Sequence, residues 1–177
     1  MAARSTVPGR HRLGQRPGPA WGELTGANPV DRGKPGSKYH LLIDAIGIPL
    51  AVGLSAANTH DSQLLERLVD AVPAIIGPRG RPGRPRKRPV KLHADKGYDL
   101  PGCRRALRRR GISPRIARRG VESSTRLGRH RWKVERSLAW LLANRRLQVR
   151  YERRADILTA FLHLACALIC ARKLGSP

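Results

Sequence analysis

The run GPRGRPGRPRKRP, residues 77–89, limits the fold more than any other stretch of the chain. It holds six basic residues, four prolines and three glycines. Proline removes backbone donors, glycine costs order, and the like charges repel, so no helix or strand crosses this run. Regular structure has to come from two blocks, one before residue 77 and one after residue 89. The run itself reads either as a solvated tether or as a flexible basic arm lying over a phosphate backbone.

The first block opens with YHLLIDA (39–45) and PLAVGLS (49–55), two strand candidates. Residues 44–47 between them read as a hairpin turn, with Gly47 at the position that wants positive φ. Asn58, Thr59 and Asp61 are all N-cap types. Leu64, Leu65, Leu68, Val69 and Val72 then recur at helical spacing up to Pro73. In the second block residues 90–94 form a third strand, closed by the turn DKGYD. A helix is expected over 101–110, rich in arginine and stopped by Gly111. A strand follows at 112–117, and then a polar linker at 118–128. An amphipathic helix covers 129–147, with Val134, Leu138, Leu141, Leu142 and Arg145 along one side. A last helix, 155–173, is apolar almost all round, which predicts burial. Residues 1–37 show no period and are expected to be a disordered basic segment. The order of elements predicts a mixed α/β fold: a small sheet that starts with a hairpin and then acquires crossover helices.

The length, 177 residues, suits one domain with a real core. Thirty-six lysines and arginines oppose 12 aspartates and glutamates, a net charge of +24. Such a field attracts polyanions, and nucleic acid is the first partner to consider. A GC-rich coding sequence would inflate the same residue types, but here the basic residues are clustered. Cys103, Cys166 and Cys170 form no disulfide framework and fit a reducing cytoplasm. Cys166 and Cys170 share a helical face with His163, which reads as core packing before it reads as a metal trio. Residues 1–15 lack the apolar stretch of a signal peptide. Their arginines and lack of acids imitate an organellar transit peptide, though low-complexity filler explains them as well. The longest apolar run, 157–171, contains Thr159 and His163 and reads as too short to span a bilayer, so no membrane partner is expected.

Two carboxylates stand out against this charge. Asp95 sits at the C-terminal end of a strand, where open α/β sheets gather their sites. It is either a turn residue or a holder of something cationic. Glu135 lies mid-helix beside the apolar face, with Arg131 four residues earlier. The pair is either a surface contact worth a few tenths of a kcal/mol, or Glu135 shares a divalent cation with Asp95. Hard oxygen ligands suit Mg²⁺ or Mn²⁺, and such ions can activate water and stabilise a leaving oxygen in phosphodiester cleavage.

The stretches GSKYHLLIDAIGIPLAVGLSAANTHDSQLLERLVDAVP, LHADKGYD and HRWKVERSLAWLLANRRLQVRYERRADILTAFLHLACALI resemble the C-terminal part of bacterial insertion-sequence transposases of the DDE type. The resemblance runs from about residue 21 to 174. It implies an RNase H-like catalytic core over 38–174, an incomplete mixed sheet flanked by helices. It makes Asp95 the second catalytic aspartate and Glu135 the catalytic glutamate, both metal ligands for Mg²⁺ or Mn²⁺. Arg131 would contact DNA or orient Glu135, and Lys38 and His40 would neighbour phosphate. The implied partners are DNA at element ends and target, and an upstream-frame product or full-length transposase.

The sequence departs from the pattern in two places. No acidic residue precedes Glu23, so the first catalytic aspartate and its strand are expected to be missing, leaving the 39–45 strand with an exposed edge. The basic residue seven positions after the glutamate is Leu142, for which Arg145 and Arg146 stand as substitutes. The chain therefore reads as a downstream half, either a second reading frame or a degraded copy, inactive by itself. The alternatives are a non-catalytic basic nucleic-acid binder and a product that inhibits transposition.

Overall fold

The computed structural model describes residues 2–8, 22–29, 32–76, 83–121 and 124–174, with 2–8, 124–131 and 174 described by backbone alone. Its first element is one the sequence hid. Ala2–Pro8 is a strand, β1. Gly26–Ala27 is a two-residue strand, β2. The expected hairpin follows as β3, Pro35–Ile43, and β4, Pro49–Ala56. Its turn has Gly47 at φ +97°, and Asp44 accepts the Ile46 and Ile48 amides at 2.9 and 2.8 Å.

A 3-10 turn, Asp61–Leu64, leads into α1, Leu65–Asp70. Its N-cap is His60, whose ring accepts the Ser62 amide, rather than Asn58, Thr59 or Asp61. After the basic run come β5, Lys91–Ala94, and a 3-10 turn, Lys96–Tyr98. Then come α2, Pro101–Arg109, and β6, Ser113–Ile116. Pro101 opens α2 where its missing N–H costs nothing. Gly111 ends the segment at φ +70°, as expected.

The long helix expected over 129–147 is shifted and broken. α3 spans Ser124–Leu142, and a separate short α4 spans Arg145–Gln148. The break falls at Asn144, whose side-chain amide donates to the Leu141 and Trp140 carbonyls at 2.9 and 3.3 Å. That satisfies carbonyls the helix would otherwise leave open. α5, Ala155–Leu174, closes the chain.

β3 lies between β4 and β1, antiparallel to both. β1 also pairs in parallel with β5, and β5 with β6. β1 thus bridges the hairpin and the parallel strands and covers the edge of β3 that was expected to be bare. Its sequence, AARSTVP, has no apolar alternation. Pairing on both sides, rather than its own pattern, makes it a strand.

The run Leu41-Leu42-Ile43 is fully buried because β3 is covered on both faces. Leu42 packs with Leu65, Val69, Leu92 and Leu107, the layer of α1 and α2. Leu41 and Ile43 pack with Val134 and Leu138 of α3. Tyr39 joins Leu158 and Leu162 of α5. A mixed sheet with helices on both faces is the arrangement the RNase H-like resemblance implies.

The all-round burial expected of α5 is not observed. Leu158, Leu162, Ala165 and Ile169 are buried, while Ile157, Leu164 and Leu168 are exposed. By length and composition alone α5 could cross a membrane, with mean hydropathy 1.6 over Ala155–Lys173. The expectation that its apolar run is too short to span is thus not met on length and composition. One face of the helix is committed to the sheet.

Candidate functional site

The turn DKGYD gives its two aspartates different work. Asp99 is consumed by structure: it takes Arg104 Nη2 at 2.6 Å and the Arg119 amide at 2.9 Å. The Arg104 hydrogen bond holds its carboxyl below the ordinary range. Asp95 stands at the tip of β5 and caps the following turn by accepting the Gly97 amide at 3.0 Å. A Cβ on Gly97 would lie 3.0 Å from Asp95 Oδ1 and 3.5 Å from Asp61 Oδ2. Asp61 and Asp95 therefore border the same small space.

Register places the elements around this tip. Ala2 pairs with both Ile43 and His93, and Ala3 with both Leu42 and Ala94. Ile43 and His93 thus share one face of the sheet, and Leu42 and Ala94 the other. Asp95 is one step past the last paired residue of β5. Its place in the alternation is that of His93, on the face where α3 packs against Leu41 and Ile43, while its carboxylate folds onto the turn beside Asp61.

α3 is pinned in rotation as well as in place. Lys133 Nζ, Arg136 Nη2 and Ser137 Oγ donate to the Ala45, Ile46 and Gly47 carbonyls of the hairpin turn at 2.6, 2.7 and 2.7 Å. Val134 and Leu138 face the sheet. Glu135, between them, is exposed. The Arg131 side chain lies outside the described residues; its backbone is in α3.

The first strand carries no carboxylate here. Arg4 sits opposite Leu41, one step past the Ala3–Ala94 pair, and so takes the register position beside Asp95. Among the described residues no three His, Cys, Asp or Glu side chains gather as metal ligands would. The described donor set does not fit a divalent ion caged by three carboxylates.

Lys38 and His40 are not placed as open phosphate contacts. Lys38 Nζ donates to the Thr59 carbonyl at 2.9 Å and pairs with Asp61 at 3.1 Å. His40 is fully buried, with Nε2 2.8 Å from Ser55 Oγ and Nδ1 unpaired. Both face the α1 and α2 layer, because they alternate with Tyr39 and Leu41. Asp61 is legible in the sequence only as a helix-cap candidate, because its pairing with Lys38 across 23 positions leaves no local signal.

Burial lowers the His40 pKa to about 4, with the Asp61 charge opposing that shift. The unfolded imidazole takes its proton near pH 6.5, while the folded one resists until about pH 4. Between those values the unfolded state binds more protons, so stability falls as pH falls. The expected loss from pH 6.5 to 4 is on the order of 3 kcal/mol. Urea midpoints at the two pH values should show it, and His40→Gln should flatten the slope.

Arg146 is also committed, pairing with Glu152 at 2.9 Å and lying over the Tyr151 and Phe161 rings. Arg145 is exposed on α4. Neither shares a helix with Glu135, because α3 ends before them. Cys166 packs against the α3 and α5 clusters, and burial pushes its thiol up to about 12. Residues 77–82 of the basic run lie outside the described residues. Its base is clasped by paired backbone bonds between Ile75 and Arg86 at 2.9 and 3.0 Å.

Comparison with known proteins points the same way. A family model described as "Transposase DDE domain" matches residues 5–170. A Burkholderia cepacia protein named "Putative transposase for insertion sequence element IS402" is 54% identical over 151 residues. That match covers 85% of this chain and 70% of the relative.

Proposed function

We propose, because this chain belongs to the DDE transposase family of insertion sequences, that it is a DNA-binding transposase polypeptide whose catalytic site is incomplete. Asp95 and Glu135 are two carboxylates of that site, on one face of the sheet. In the complete enzyme they serve Mg²⁺- or Mn²⁺-dependent strand cleavage and transfer. The chain alone supplies too few ligands to cleave. The observation that carries this reading is Arg4 in register beside Asp95, where a third carboxylate would complete the set. The work is in the bacterial cytoplasm, on element ends and target DNA, with an upstream-frame product or intact transposase as partner. Exposed arginines position the DNA through its phosphates without reading its sequence.

The same observation favours a second role, in which the chain occupies element ends and inhibits the intact enzyme. Two assays test the proposal. Duplex binding, followed by anisotropy, should weaken linearly in log–log form as salt rises. Nicking of a supercoiled plasmid carrying element ends should stay at background in Mg²⁺ or Mn²⁺. Robust nicking abolished by Asp95→Ala would overturn the incompleteness, and absence of duplex binding at low salt would overturn the DNA role. Inhibition is read by adding the chain to intact transposase and measuring transposition.

A further inference from the structure

β5 and β6 alternate cleanly between buried and exposed positions. Leu92, Ala94 and Ile116 are buried, and Pro114 is half-buried, on the side of α1 and α2. Lys91, Ser113 and Arg115 are exposed and His93 is half-buried on the other side. The pairs are Lys91 with Ser113 and His93 with Arg115, so these four residues tile one surface. It is the face on which α3 covers β3, and over β5 and β6 its described residues stay exposed or half-buried. Asp95 lies at its far end.

This open face is unlike an unpartnered apolar surface. It carries two cations, a histidine and a hydroxyl, so its exposure costs little and calls for no protein cover. No carboxylate falls on it before Asp95. Lys91 and Arg115 form no ion pair among the described residues, whereas Arg104 and Arg110 on α2 are tied to Asp99, Glu66 and Asp70. The four-residue strands are about 13 Å long. That is the axial length of about four phosphates on one strand of a duplex.

We propose that the uncovered β5–β6 face is a track for the DNA phosphodiester backbone, with Lys91 and Arg115 contacting phosphates of the strand that reaches Asp95. The inference rests on the reading of the chain as DNA-binding. It goes further by assigning that binding to one surface rather than to overall charge.

The test is the salt dependence of duplex affinity for the whole chain. Lys91→Ala and Arg115→Ala should each reduce the log–log slope by about 0.9, the release expected for one lost phosphate contact. Lys91→Arg should keep the parent slope. Arg108→Ala removes an equally exposed cation from the outer side of α2. It should change the slope by less than about 0.2 on the same scale. Equal losses for Arg108→Ala and Arg115→Ala would overturn the track in favour of diffuse charge. Unchanged slopes for both Lys91→Ala and Arg115→Ala would overturn it as well. Circular dichroism checks folding, and footprint protection moved by Lys91→Glu reads the same contact independently. If the parent chain binds no DNA, the functional reading fails; if it binds and only these contrasts fail, the track alone is wrong.

Discussion

Replacing Arg4 with aspartate should raise DNA nicking by this chain well above the level of the parent. Arg4 occupies the step of β1 beside the strand tip that bears Asp95. An arginine there has two effects. It supplies no metal ligand, and it adds a positive charge to that step of the strand. Arg4→Asp removes that charge and adds an oxygen donor in one substitution. Nicking of supercoiled plasmid in Mn²⁺ should rise at least about 100-fold, equivalent to about 2.7 kcal/mol of barrier. Arg4→Ala removes the charge without adding a ligand and should gain much less. Equal nicking by the aspartate and alanine variants would show that charge, not a missing ligand, holds the site inactive.

The largest stability effect is expected at Arg150. Its guanidinium is almost fully buried, 7% exposed, and burial lowers its pKa from the ordinary value. It donates to the Ser37 and Thr25 hydroxyls and to the Glu23, Glu152 and Arg153 carbonyls. These acceptors lie on β3, on the segment before β2 and on the approach to α5. Arg150 therefore ties the start of the described core to its last helix. Glu23 adds to the same junction, its carboxylate accepting the Ala155 amide at 2.9 Å. Arg150→Met fills similar volume and leaves several acceptors without donors. The expected cost is about 3–5 kcal/mol. For a chain of this size that lowers Tm by about 6–20 °C. Arg150→Lys should recover little, because an ammonium cannot reproduce the planar fork. A loss under about 1 kcal/mol would show that water replaces the guanidinium readily.

The sequence was legible wherever local chemistry decides structure. The β3–β4 hairpin follows from alternation and from Gly47, α2 from Pro101 and Gly111, and the tip of β5 from its short run and the turn after it. Legibility failed where pairing partners decide. β1 is polar and patternless, and it becomes a strand only because β3 and β5 flank it. Its absence from the reading also produced the bare edge that the structure does not have. α3 ends at Leu142 through an amide cap on Asn144 that helical periodicity does not register. At the site, alternation alone could have warned against His40. Leu41-Leu42-Ile43 signals a strand buried on both faces, and a histidine two positions before Leu42 shares its buried side. The positions of Asp95 and Glu135 were readable as motifs. Their proposed convergence was not, because it depends on the register of β1.

The central claim is that Asp95 and Glu135 serve one ion, with Arg4 in the place of a third ligand. It is tested most directly by Mn²⁺ affinity, measured by calorimetry, in the Arg4→Asp chain and its derivatives. Asp95→Asn and Glu135→Gln should each weaken binding at least about 10-fold, or 1.4 kcal/mol, and the double variant should fall little further. Mn²⁺ affinity left unchanged by Glu135→Gln would place the two carboxylates in separate sites and contradict the account.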